Sequence, residues 1–147
     1  MLLRKGYFWI LCILVLLCII FMFLRNNYFL NRAVREISMR LVQIEILSSK
    51  TAVDYKVSFY KDHYEVKVYN KINDLWEIYI QDGYPKGVSA EPLPVEFYFS
   101  RGRFRDYQFK DRNRKTPKSM IIYFSYKGSE KKRALIFFKD DDWKVLG

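Results

Sequence analysis

A length of 147 residues accommodates one domain and leaves no comfortable room for two. Half of the residues are apolar, unevenly spread, and 26 Lys and Arg against 16 Asp and Glu give a formal charge of +10. Such an excess suits an anionic surface, whether lipid, nucleic acid or an acidic protein face, and does not choose among them.

Residues 1–6 form a short basic leader containing Arg4 and Lys5, and residues 7–24 read YFWILCILVLLCIIFMFL without a charge. A bilayer core about 30 Å thick takes roughly 20 apolar residues in a helix, so this run predicts a transmembrane span. The apolar part of a signal peptide is shorter, about 7–15 residues, and ends at small residues. Phe21-Met22-Phe23-Leu24-Arg25-Asn26-Asn27 offers no such cleavage site, and the span reads as retained. Both cysteines, Cys12 and Cys18, fall inside it, about 9 Å apart along the axis and too far to pair. Neither marks a lipoprotein, because bulky Leu11 and Leu17 precede them. Arg25, Arg32, Arg35 and Arg40 after the span outnumber Arg4 and Lys5 before it. That count favours a cytoplasmic C-terminal side, although long domains translocate largely regardless of charge.

The helical period continues past the span. Leu30, Val34, Ile37, Leu41 and Ile44 mark one face, with Arg32, Arg35, Arg40 and Glu45 on the other. No Pro or Gly interrupts residues 7–49, so one helix of about 43 residues and roughly 65 Å is expected. Its part 25–50 is the amphipathic continuation that packs on the rest of the chain. Residues 51–147 alternate with period two. Strands are expected at Asp54–Tyr60, His63–Tyr69, Leu75–Ile80, Val95–Phe99, Arg103–Phe109, Ser119–Tyr126, Ala134–Lys139 and Trp143–Leu146. Connectors at Lys61-Asp62, Ser100-Arg101-Gly102, Lys127-Gly128-Ser129 and Asp140-Asp141-Asp142 suit antiparallel hairpins, and Gly83–Pro94 is the main irregular stretch. The expected fold class is α+β: a long N-terminal helix, half transmembrane and half amphipathic, packed on an antiparallel β-sheet domain.

Catalytic chemistry is not evident. His63 is the single histidine, beside Asp62 and Glu65, and with no cysteine outside the span it cannot build a zinc site of ordinary composition. No phosphate-binding glycine loop or nucleophile elbow occurs, and Asp140-Asp141-Asp142 matches no calcium loop. Neither an enzyme, a metal nor a cofactor is expected.

The leader Met-Leu-Leu-Arg-Lys-Gly followed at once by Tyr-Phe-Trp-Ile-Leu resembles the processing site of type IV prepilins and type II secretion pseudopilins. The long half-membrane helix on an antiparallel sheet extends that resemblance over nearly the whole chain. Asn31–Ser38, Thr51–Tyr60, Gly87-Val88 and Val95–Gly102 look like the H-type, FimT-like branch of minor pseudopilins. The resemblance implies a structural subunit of the bacterial inner membrane, with its β domain in the periplasm. It implies cleavage by prepilin peptidase between Gly6 and Tyr7, Gly6 leaving the backbone accessible before the helix begins. Its partners would be other pilin or pseudopilin subunits, met through the N-terminal helix. Most members carry Glu five residues after the cut; Leu11 stands there in this chain, which implies a minor or tip subunit active in assembly initiation. The alternatives are a membrane-anchored, DNA-binding minor pilin and a generic single-pass protein with a small β interaction domain.

A second stretch gathers Arg101, Arg103, Arg105, Lys110, Arg112, Arg114, Lys115 and Lys118, with Phe104, Tyr107 and Phe109 interleaved. It suits nucleic acid if the cations follow phosphates and the rings stack on bases. The favoured reading is a strand with Arg103 and Arg105 outward and the aromatics in the core, followed by a solvated loop, because charge runs are usually solvated.

Overall fold

The structure is a computed structural model that describes residues 2–91, 95–110, 117–127, 129–139 and 142–146, with side chains from Tyr7 onward. Among the described residues one helix, α1 (Leu2–Thr51), leads into nine strands. It starts ahead of the expected point, so the Gly6 backbone lies inside the helix instead of preceding it. One glycine in a helix costs only about 1 kcal/mol, and Leu2-Leu3-Arg4-Lys5 ahead of it are good helix formers. The helix stops where Ala52 takes a left-handed φ of 51°, which ends the α ladder and releases the chain toward β1.

The strands are β1 (Tyr55–Phe59), β2 (His63–Asn70), β3 (Leu75–Gly83), β4 (Val88–Ala90), β5 (Val95–Ser100), β6 (Arg103–Phe109), β7 (Ser119–Tyr126), β8 (Lys132–Phe138) and β9 (Asp142–Leu146). Every pairing is antiparallel. The α+β class therefore stands: a long apolar N-terminal helix packed on antiparallel sheets. The single sheet read from the sequence is in fact two, of order β3-β2-β1-β5-β6 and β4-β7-β8-β9. The short β4 lies inside the stretch expected to be irregular. Ala90 N donates to Lys61 O at 3.0 Å, tying β4 to the β1–β2 turn, while β6 lies against β9 at the opposite margin.

The inward residues of both sheets meet in an aromatic core. Phe59, Phe97 and Phe104 come from the first sheet, Phe124 and Phe137 from the second, and all are at most 1% exposed. Phe97 and Phe137 are closest, ring centroids 4.2 Å apart. The helix covers this core with Leu30, Ala33, Val34, Ile37, Leu41 and Ile44, each 3% exposed or less. Glu45, expected on the solvent face, turns inward. Its Oε1 accepts from Phe104 N at 3.2 Å and Trp143 Nε1 at 3.0 Å, so one carboxylate holds both sheets. Beside it, Gly102 N donates to Ser48 Oγ at 2.9 Å. That approach needs glycine, since φ there is +82° and a Cβ would meet the Ser49 Cβ at 2.9 Å.

Of the phenols in or beside this core, Tyr64, Tyr84 and Tyr107 are raised above the ordinary value, with burial the first cause for each. The shift is largest at Tyr84, whose hydroxyl donates to Tyr60 O at 3.2 Å. A pKa higher in the folded than in the unfolded chain gives stability that is present below about pH 10 and lost as pH rises beyond it. Urea midpoints measured from pH 8 to 11.5 are therefore expected to hold steady to about pH 10 and then fall. Tyr84→Phe is expected to shallow that fall, and an unchanged slope would rule out Tyr84 as a main source.

Candidate functional site

Residues 7–24 of α1 touch nothing else in the chain over most of their length, and their large apolar side chains are 46–70% exposed. Among the described residues this is the one helix long and apolar enough to cross a membrane. Tyr7 and Leu11 lie on it at 70% and 60% exposure. Cys12 and Cys18 are free and exposed.

Beyond Leu24 the helix has two apolar faces. One is the covered Leu30–Ile44 stripe. The other consists of Tyr28, Met39, Val42 and Ile46, exposed by 60, 55, 44 and 48%. At about 100° per residue these four fall roughly 160° round the helix from the covered stripe. Exposed Arg35 interrupts this face between Tyr28 and Met39, and polar residues flank it: Arg32 Nε donates to Glu36 Oε1 at 2.7 Å, and Arg40 reaches Asp82 at 3.9 Å. At the far end Ile46 opens into a groove shared with Leu47, Tyr79 and Ile80. Sequence reasoning missed this second stripe, although Met39, Val42 and Ile46 recur at spacings of three and four, because the stronger Leu30–Ile44 pattern accounted for the helix by itself.

The basic stretch is only partly brought together. Arg112, Arg114 and Lys115 lie outside the described residues. Arg101 and Gly102 both take positive φ, 51° and 82°, and turn β5 into β6; two such residues form the hairpin turn that matches strand twist. The register then slips between Tyr98 and Phe99, which leaves Arg105 as an extra residue of β6. That bulge breaks the alternation and lets Phe104 and Tyr107, three apart, both enter the core at 0% exposure. The base-stacking role for these rings is therefore corrected: a ring packed in the core offers no face to a base. Arg105 folds back instead, Nε donating to Ser100 O at 3.2 Å. Arg101, Arg103 and Lys118 are exposed, as is Lys110, whose Nζ lies 5.0 Å from the Tyr60 ring centre. The turn at Arg101 docks beside Ser48, about 38 Å along the helix from Phe23.

His63 stacks on Tyr60 with centroids 4.5 Å apart. Its Nδ1 lies 2.7 Å from Asp62 Oδ1, and this hydrogen bond is the main cause holding the Asp62 carboxyl below its usual range. Asp140 and Asp141 lie outside the described residues, and Asp142 already belongs to β9.

Comparison with protein-family models, with curated proteins and with solved structures found no match for this chain.

Proposed function

We propose that the chain is a structural, non-enzymatic subunit of a pilin-like filament, of the type II secretion or type IV pilus kind. Its apolar helix is held in a bacterial inner membrane, its β domain works in the periplasm, and it acts at assembly initiation or at the tip. The two-sided helix carries this reading. An ordinary anchor ends at the membrane and has no reason to present apolar side chains on the water side. Here Tyr28, and further on Met39, Val42 and Ile46, stay uncovered on one face beyond the span, with Arg35 between them on the same face; Met39, Val42 and Ile46 form an apolar patch that neighbouring helices of like subunits would bury. Leu11 fits a minor position, since a lipid-buried carboxylate is costly unless paired and this subunit carries none at the place where filament-body subunits hold one.

Mass spectrometry of the protein from cells with and without a prepilin peptidase tests the assignment. With the peptidase the chain is expected to begin at Tyr7, and without it at Met1. An intact Met1 in both would remove the processing step and favour a generic single-pass protein.

A further inference from the structure

The β7–β8 hairpin turns over directly against the end of the apolar helix segment. Lys131 Nζ lies 4.5 Å from the ring centre of Phe23, one residue before the uncharged run ends at Leu24. At the base of the hairpin Tyr126 stacks on Phe29, with ring centroids 6.0 Å apart and planes within 7°. Lys127 N donates to Gly87 O at 2.8 Å, which draws the neighbouring loop and its Lys86 to the same level. Gly87 permits this closeness, because φ is +89° and a Cβ there would stand 2.9 Å from the Tyr126 ring. Arg25 adds a cation from the helix itself. Arg25, Lys86, Lys127 and Lys131 are all exposed. Nearby, Lys132 is engaged by Glu91 at 2.7 Å and Arg133 by Asn31 at 2.9 Å; Glu130 is the acid at the hairpin tip.

The apolar run from Tyr7 to Leu24 is about 27 Å long, close to the roughly 30 Å hydrocarbon core of a bilayer. With that run inserted, Phe23 lies at the hydrocarbon boundary, and an ammonium group leaning over its ring lies in the phosphate layer just outside. Lysine suits that position, its methylene stem against apolar surface and its charge among headgroups. We propose that Arg25, Lys86, Lys127 and Lys131 form a collar that binds the phosphate headgroups of anionic phospholipids on the side where the β domain emerges. The collar depends on insertion of the helix and not on filament membership. It seats the domain on the bilayer surface at a fixed height and rotation, with the β5–β6 turn pointing away from the lipid.

Each cation held near an anionic membrane is expected to strengthen lipid binding about fivefold. The full chain in neutral detergent micelles, titrated with phosphatidylglycerol or phosphatidylcholine, provides the measurement, with bound lipid counted by native mass spectrometry. The wild-type chain is expected to retain phosphatidylglycerol in preference to phosphatidylcholine. Lys127→Gln with Lys131→Gln is expected to weaken phosphatidylglycerol binding about 25-fold. Lys50→Gln with Lys71→Gln removes the same charge at the opposite end of the domain and is expected to leave binding unchanged. Wild-type affinity in the hairpin variant, or an equal loss in the distal one, overturns the collar. Alkaline carbonate extraction of membranes carrying the wild-type chain reports the insertion separately: retention supports the span, and release overturns the span and the collar together.

Discussion

Phe97→Ala is expected to lower the unfolding free energy by about 3–5 kcal/mol, the range for removing a buried aromatic side chain. Phe97 is fully buried, and its ring contacts reach across the whole interior. Phe137 of the second sheet is 4.2 Å away, and Phe59, Tyr107 and Phe104 follow at 5.6, 6.1 and 6.4 Å. Truncation leaves a void between two sheets that are each tied into hydrogen-bonded ladders and cannot close on it, which places the loss toward the upper end. Phe97→Leu keeps most of the volume and is expected to cost far less. Urea unfolding followed by near-ultraviolet circular dichroism, in the same micelles for all variants, measures both. A difference below about 1 kcal/mol between wild type and Phe97→Ala would mean that the two sheets do not share one core.

The second large effect concerns association and leaves folding alone. Val42→Glu and Ile46→Glu alter side chains that are 44% and 48% exposed and outside the core, so the thermal midpoint is expected to stay near wild type, as for surface changes within about 0.5 kcal/mol. Burying an unpaired carboxylate between helices is costly, and at the centre of an interface a loss of about 2 kcal/mol or more corresponds to roughly thirtyfold. If the proposed filament reading holds, a photo-cross-linking amino acid at position 39, introduced in cells with a type II secretion or type IV pilus assembly, is expected to yield adducts with pilin-like subunits, and either Glu variant to suppress them. Undiminished adducts would show that the stripe is not the contact. Midpoints lowered by several degrees would mean instead that the stripe belongs to the fold.

Much of the architecture was legible because its signals are periodic. Leu30, Val34, Ile37, Leu41 and Ile44 recur at helical spacing, and all five are buried; β5 alternates residue by residue in burial as in polarity. The rest was set by contacts that no local pattern encodes. Alternation tells which side of a strand is apolar but not which strand lies beside it. The β1–β5 pairing, which joins Tyr55 to Phe99, and hence the division into two sheets, could not be read from it. The strand β4 has three residues, too few to alternate, between Gly87 and the prolines that follow. Glu45 looked like a solvent residue by type and position, yet the otherwise unsatisfied Phe104 amide and Trp143 indole draw its carboxylate inward. The basic stretch was legible as charge, but the bulge at Arg105 decides where the aromatics go, and a one-residue slip of register leaves no trace in composition.

Glu45 also bears on how the molecule carries a mechanical load. The helix enters the β domain from its apolar N-terminal end, and Glu45 and Ser48 grip it near the opposite end. A pull on the N-terminal segment along its axis therefore loads the contacts from Leu30 to Ser48 in parallel, as sliding of one surface past another, and does not peel them open one after the other. Traction on the N-terminal segment has to overcome the packed stripe and the two hydrogen bonds to Glu45 nearly together.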